Sequence, residues 1–233
     1  MILRIDATEF METVSLDNLT LSENNIRHIK FELDNDAPDY PRIARETHQL
    51  LYRLMIESIK SSHNYFSTIQ DRQYPGPFKN EDSAGNIIYW KGEKIDGCQN
   101  AWHYVPAKKK EFDDAVEKAK KKKRKNDDYN DRVIIFYTAL AFVQAPFVMK
   151  QLMHSKTLKI ETDDIKKLEW LHGFRNTYEH FLTNFTYMCS VERLRTAAKT
   201  ALKVTSDLIE CGNITPFRET TLYDDLKIIR TRI

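Results

Sequence analysis

Residues 171–181 read Leu-His-Gly-Phe-Arg-Asn-Thr-Tyr-Glu-His-Phe, and this segment indicates the fold of the chain most directly. At about 100° per residue, an α-helix would place Phe174, Tyr178 and Phe181 within about 60° of one another. Asn176 and His180 would point to nearly the opposite side. The segment therefore predicts a helix with one apolar face for the core and one polar face for chemistry.

Gly173 stands just before the polar residues of this segment. Because glycine weakens a helix, we expect it to break or kink the preceding helix and the next helix to begin there. Arg175 would then lie in a first turn, where unpaired backbone N–H groups and the helix dipole favour an anion. This spacing predicts a phosphate-binding position.

Arg175, Asn176 and His180 form the pattern RNxxxH, which resembles the motif of the HEPN superfamily of helical-bundle proteins. The resemblance covers about residues 131–211, with a looser match at 41–66. Many members are RNA-cleaving toxins or nucleotide-binding partners of nucleotidyltransferases. The resemblance therefore implies RNA as substrate, a homodimer with one composite cleft, products ending in a 2′,3′-cyclic phosphate and a 5′-hydroxyl, and an antitoxin or nucleotidyltransferase as a possible partner.

The residue types of the motif suit metal-independent RNA cleavage. The 2′-hydroxyl must lose a proton, the charge on the phosphate must be stabilised and the leaving oxygen must gain a proton. Histidine populates both protonation states near its ordinary pKa of about 6.5, and arginine offers a planar fork to phosphate oxygens. One motif supplies one histidine and one arginine, so an acid and base pair requires a second copy, most simply a two-fold dimer. We expect Arg175, Asn176 and His180 to be catalytic and Glu179 and His172 to be auxiliary.

Ordinary structural roles also explain these residues. Arg175 and Glu179 stand at i and i+4, where a surface ion pair contributes about 0.3–0.5 kcal/mol. His180 fits a surface or interface histidine, and Asn176 fits a helix cap. The alternative function is therefore a non-catalytic HEPN-like bundle that binds RNA, a nucleotide or a protein partner.

The pattern of apolar residues predicts a mainly all-α fold with four main helices, and residues 1–233 are expected to form a single domain. The resemblance implies that these helices form a HEPN-like four-helix up-down bundle. One long helix is expected behind Pro41, at about 41–66, and an enclosed apolar helix at about 133–153 should bend at Pro146. Thr162-Asp163-Asp164 marks a further start, and Ser190 is expected to cap the last long helix, which Gly212 ends. A shorter helix is predicted to begin at Ser22 as its cap, and another short helix is predicted in the C-terminal tail.

An insertion at 70–130 is expected between the first and second main helices. Its first part is rich in glycine and proline around short aromatic and β-branched pieces, which predicts a small β-hairpin or ordered loop. Its second part is a lysine-rich segment in which five residues are expected to contact RNA phosphates: Lys118, Lys121, Lys122, Lys123 and Arg124. A solvated helix or mobile linker is the alternative that the composition favours, since acids partly neutralise the segment and no aromatic is interleaved to stack bases. The same segment could instead be the main functional surface, with the bundle as its scaffold.

Composition sets few limits on function. A net charge of +2 does not mark a nucleic-acid binder, so any RNA contact must come from local clusters of charge. Three cysteines without metal-ligand spacing favour a reducing cytoplasm and no metal site. No cofactor is expected, and the sequence has no phosphate-binding glycine motif of the Walker or Rossmann type. The first residues lack the pattern of a signal peptide, and the longest apolar run is shorter than the roughly 20 residues of a membrane span, so no membrane association is expected.

Overall fold

A computed structural model describes residues 17–60, 76–122, 133–150, 156–180, 188–211, 214 and 221–233. Within these ranges the chain forms mainly helices and one three-stranded antiparallel sheet, which confirms a mainly helical fold with a small β insertion. In chain order the elements are α1 (Asn18–Asp34), α2 (Tyr40–Ile59), β1 (Phe78–Glu81), β2 (Ile87–Lys94), β3 (Trp102–Ala107), α3 (Lys109–Lys122), α4 (Phe136–Val143), α5 (Pro146–Met149), α6 (Thr162–Glu179), α7 (Val191–Glu210) and α8 (Thr221–Arg232).

Helix α2 lies at the centre of the helical part, and α1, α4, α6 and α7 all pack against it. Its buried residues therefore occur around most of the helix rather than on a single stripe, and Leu50, Leu51 and Leu54 are fully buried. Pro41 lies in the first turn, as predicted, and Asp39 caps the helix by accepting a hydrogen bond from the backbone N–H of Arg42. Residues 61–66 of the predicted helix lie outside the described residues.

Helix α1 begins earlier than the sequence indicated. Its cap is Asp17, whose Oδ1 accepts the backbone N–H groups of Leu19 and Thr20, both at 2.9 Å. The prediction that Ser22 caps this helix is wrong. Ser22 is buried inside the helix, and its hydroxyl donates to the carbonyl oxygen of Asn18 at 2.7 Å. Asp17, five residues earlier, accepts two of the free N–H groups at the start of the helix instead.

The apolar segment after residue 133 forms two short helices, α4 and α5, rather than one bent helix. Ala145 has an extended backbone, as the residue before a proline tends to have, and Pro146 opens α5 in the first-turn position that suits its ring. The expected bend at Pro146 is therefore a complete break. Both helices are buried, as predicted, and Phe147 is 2% exposed.

The insertion contains a sheet in the order β1-β2-β3 with antiparallel neighbours. The sheet attaches to the helices through aromatic rings, because Phe78, Trp90 and Tyr104 have their centroids 4.4, 5.1 and 4.9 Å from that of Phe147. Helix α3 packs against β2. The insertion is thus joined to the helical part at α5.

A second attachment holds the loop between β2 and β3. The carboxylate of Glu169 on α6 accepts the backbone N–H groups of Gln99, Asn100 and Ala101 at 2.8, 2.5 and 2.9 Å. The loop turns at Gly97, whose φ of +75° favours glycine, and a Cβ there would lie 2.8 Å from Cε of Lys166. One charged side chain therefore joins the sheet to α6.

The last two helices follow the sequence closely. Ser190 caps α7, as predicted, by accepting the backbone N–H of Arg193 at 3.2 Å. The predicted tail helix is α8, which packs against α1 and α7. Lys30 and Asp225 form an ion pair at 2.7 Å, and Arg195 donates to the carbonyl oxygen of Ile233. Gly212, the predicted end of α7, lies outside the described residues.

Replacing Glu169 by alanine should destabilise the fold, since three backbone N–H groups lose a charged acceptor at once. We expect the free energy of unfolding to fall by about 1–3 kcal/mol. Urea unfolding followed by circular dichroism measures this change.

Glu192→Ala is the matched control, because Glu192 lies 3.6 Å from Arg195 in an exposed ion pair. It should change stability by less than about 0.5 kcal/mol. Equal stability of the two variants would contradict the anchoring role of Glu169.

Candidate functional site

Helix α6 runs without interruption from Thr162 to Glu179, so the expected helix break at Gly173 is wrong. Gly173 is exposed within the helix, and a Cβ there would meet nothing within 4 Å. The start at Thr162, with acids in the first turn, is confirmed. Arg175 and Asn176 therefore lie near the C-terminal end of α6, where the helix dipole is negative. The phosphate position predicted from free N–H groups at a helix start is absent here.

His180 is the residue that ends α6. Its backbone has left the helical region, with φ −99° and ψ 53°, and its N–H donates to the carbonyl oxygen of Asn176 at 3.1 Å. The imidazole is exposed. On the other side of the motif, Phe174 is 5% exposed and Tyr178 is half-buried against the core, while Phe181 lies outside the described residues. The division into a core side and a polar side thus holds within the helix.

The guanidinium of Arg175 is engaged from two sides. Nη1 donates to Oδ1 of Asn176 at 3.2 Å, and Nη2 lies 2.5 Å from Oε2 of Glu179. Glu179 is held in turn by Gln49 of α2, whose Nε2 donates to Oε1 at 2.9 Å. This ion pair is half-buried, with 29% of the arginine and 25% of the glutamate side chain exposed, and it links α6 to α2.

His172 makes the second link between α6 and α2. Its Nδ1 lies 2.9 Å from Nε2 of His48, and its Nε2 lies 3.2 Å from Nδ2 of Asn176. The ring stacks on Phe136 of α4, with centroids 4.7 Å apart, and meets Tyr137 edge-on at 4.9 Å. The structure thus brings His172, Asn176, Arg175 and Glu179 together, and it places His48 of α2 beside them.

Both imidazoles are kept neutral at pH 7. Burial lowers the pKa of His172 to about 4, and the nearby positive charge of Arg175 adds to this effect. His48 is 1% exposed, and burial, with smaller contributions from His172 and Arg175, holds its pKa well below 6.5. Burial also raises the pKa of the neighbouring Tyr52 to about 12.

The polar contacts continue along α2 toward α1. Glu46 is 3% exposed and pairs with Arg45, and Nδ2 of Asn25 donates to it at 2.5 Å. Burial alone would raise the pKa of Glu46, but the bonds from Arg45 and Asn25 hold it below its usual value. Arg53 donates to the side chain of Asn25 and to the carbonyl oxygen of Leu21.

We call these residues the α2–α6 polar layer: Asn25, Arg45, Glu46, His48, Gln49, Arg53, His172, Arg175, Asn176 and Glu179. Its α2 half was missed in the sequence. The signal that could have revealed it is the polar series Arg45, Gln49 and Arg53, whose spacing of four residues places them on one face of α2.

The α2–α6 polar layer contains one more positive charge than negative charges. With both imidazoles neutral, three guanidinium groups face the two carboxylates of Glu46 and Glu179. Nε of Arg45, Nε of Arg175 and Nδ1 of His48 are buried and have no hydrogen-bond partner within the described ranges. This excess positive charge favours an anionic ligand.

The predicted lysine surface lies on a different element. Lys118 is exposed on α3, which also includes Lys121 and Lys122 and packs against β2. Lys123 and Arg124 lie outside the described residues. The structure therefore places this part of the lysine segment on the insertion rather than in the α2–α6 polar layer.

No family model matches the chain, and no curated protein or solved structure gives a significant match. Among the described residues, no group of three or more histidine, cysteine or acidic side chains could hold a metal ion. None of the described helices is long and apolar enough to span a bilayer.

The neutral histidines should make stability depend on pH. As pH falls below about 6.5, unfolded chains bind protons that the folded imidazoles cannot accept, so stability is full above that value and is lost toward pH 4. Each histidine contributes a slope of up to about 1.4 kcal/mol per pH unit. His172→Gln should flatten the curve of unfolding free energy between pH 6.5 and 4, as measured by urea unfolding.

His103→Gln on β3 is the control, because that histidine lies on the sheet and not in the layer. It removes one histidine without changing the layer, so the flattening caused by His172→Gln should exceed any change caused by His103→Gln. If the two variants changed the slope equally, a buried neutral imidazole at position 172 would be ruled out.

Proposed function

We propose that this protein is a HEPN-type endoribonuclease that cleaves RNA without a metal as a homodimer. The observation that carries the proposal is the shared location of Arg175 and His180 at one end of α6, with a partly exposed guanidinium and an exposed imidazole. The mainly helical fold is compatible with the four-helix arrangement that the motif implies.

Arg175 retains donors for a phosphate although it is paired. A guanidinium has five N–H donors. One on Nη1 and one on Nη2 are engaged, and Nε is buried, so one donor remains on each Nη nitrogen within the described ranges. Two such donors match two oxygens of one phosphodiester. Arg175 can therefore contact a phosphate without leaving Glu179.

In the proposed reaction, the 2′-hydroxyl attacks the adjacent phosphorus while one His180 accepts its proton. The 5′-oxygen leaves with a proton from the second His180, and the product carries a 2′,3′-cyclic phosphate. Arg175 stabilises the charge on the phosphate oxygens. Asn176 orients the guanidinium through its amide oxygen. Two copies are required because each chain brings one His180 to the cleft.

A second candidate is a non-catalytic HEPN-like protein that binds RNA through the same surface. The observation that favours it is the pairing of Arg175 with Glu179, because a fixed carboxylate beside the guanidinium lowers its attraction for phosphate. RNA binding requires no stabilisation of the charge that develops in a transition state. The Arg175–Glu179 pair is therefore more compatible with binding than with catalysis.

Replacing His180 by alanine should abolish cleavage, since the proton-transfer group is lost, and should leave stability nearly unchanged because the side chain is exposed. The purified protein is incubated with mixed RNA in EDTA, and the product ends are analysed. We expect wild-type products with 2′,3′-cyclic phosphates and a loss of at least about a hundredfold in His180→Ala.

His103→Ala serves as the control for removal of a histidine outside the motif. Full cleavage by His180→Ala would refute the catalytic assignment. Intact RNA that is retained by the wild-type protein, with affinity that depends on Arg175, would support the binding function instead.

A further inference from the structure

Two neighbouring residues of α2, His48 and Gln49, each begin a chain of hydrogen bonds that ends on the guanidinium of Arg175. Through Gln49 the chain runs to Glu179 and then to Nη2. Through His48 it runs to His172, then to Asn176 and then to Nη1. The guanidinium is therefore held on both of its terminal nitrogens from one turn of a different helix.

The donor and the acceptor of each hydrogen bond that links Asn176, His172 and His48 can be assigned by starting from Arg175. A guanidinium can only donate, so the atom of Asn176 that faces Nη1 must be the amide oxygen. The amide nitrogen then faces Nε2 of His172 and donates to it, so Nε2 carries no proton. A neutral His172 keeps its proton on Nδ1 and donates it to Nε2 of His48. His48 must then carry its own proton on Nδ1.

The surroundings hold this chain in place. His48 is 1% exposed, and its ring centroid lies 4.7 Å from that of Phe136, which also stacks on His172. A doubly protonated His172 would present a second donor to the amide nitrogen of Asn176, which cannot accept it. The chain is therefore continuous only with both imidazoles neutral and in the tautomers given above.

We propose that His48, His172 and Gln49 are positioning residues that fix the plane of the Arg175 guanidinium, so that its two remaining N–H groups face one phosphodiester. The phosphodiester part of this inference rests on the proposed function, whereas the fixed guanidinium does not. A guanidinium that is held at both Nη nitrogens suits recognition of a phosphate. Its side-chain rotations are already restricted, so binding loses less conformational entropy.

The first test is nitrogen NMR of the wild-type imidazoles at pH 7. We expect His172 to be protonated on Nδ1 only and His48 on Nδ1 only. A proton on Nε2 of His172 would overturn the proposal, because Asn176 could not then direct its oxygen toward Arg175. This measurement requires no activity, so it is independent of whether the protein cleaves RNA.

The second test compares variants by the NMR signals of the Arg175 guanidinium. His172→Leu and Gln49→Met should each free the group to rotate, so that its separate Nη signals merge. His172→Gln retains an acceptor for Asn176 and should preserve the separate signals. Gln144→Met is the matched control, because Nε2 of Gln144 donates to the carbonyl oxygen of Leu140 at 2.8 Å, outside the polar layer.

RNA cleavage then separates positioning from mere stability. In folded His172→Leu and Gln49→Met, kcat/KM should fall at least about tenfold with KM raised, which is about 1.4 kcal/mol, and His172→Gln should recover most of it. If His172→Leu does not fold, the test rests on Gln49→Met.

Unchanged Arg175 signals in a folded variant would overturn the proposal. Merged signals in variants of a protein that cleaves no RNA would leave the positioning role intact and reject the proposed function.

Discussion

The ion pair between Arg175 and Glu179, held by Gln49, is the interaction on which the arrangement of the α2–α6 polar layer depends. It sets where the guanidinium lies, and the guanidinium in turn sets the amide orientation of Asn176 and the tautomers of both histidines. Removing either charge would leave the other half-buried and unpaired, which costs more than an exposed pair contributes. The short surface ion pair that the i, i+4 spacing predicts is therefore the centre of a larger network.

The α2–α6 polar layer stabilises the contact between the two helices less than apolar packing would. Three buried side-chain atoms of the layer, Nε of Arg45, Nδ1 of His48 and Nε of Arg175, have no hydrogen-bond partner in the described part of the chain. Each such atom costs about 1–3 kcal/mol, and apolar side chains at the same positions would be expected to stabilise the interface. Local departures of this kind are typical of functional sites, where stability is lost for the sake of chemistry.

The sequence predicted elements well and their exact limits and partners less well. The amphipathic pattern behind Pro41, the acids after Thr162 and the serine at 190 each identify a helix that exists. The prediction of a helix break at Gly173 was wrong, because one exposed glycine destabilises a helix by only about 1 kcal/mol, and burial of Leu171 and Phe174 offsets this. The sequence identified only the α6 residues of the site, because the contact between His48 and His172 joins residues 124 positions apart. No spacing rule reaches across such a distance.

Arg175 should face the phosphate of bound RNA from the position that α2 imposes on it. The most direct measurement is a crystal structure of the protein with a short RNA whose 2′-hydroxyls are methylated, which prevents cleavage. We expect one phosphodiester within hydrogen-bond distance of both Nη nitrogens of Arg175, Glu179 still paired, and His180 of each of two copies flanking that phosphate. RNA bound along α3, with Arg175 turned away from it and the two His180 side chains far apart, would contradict this.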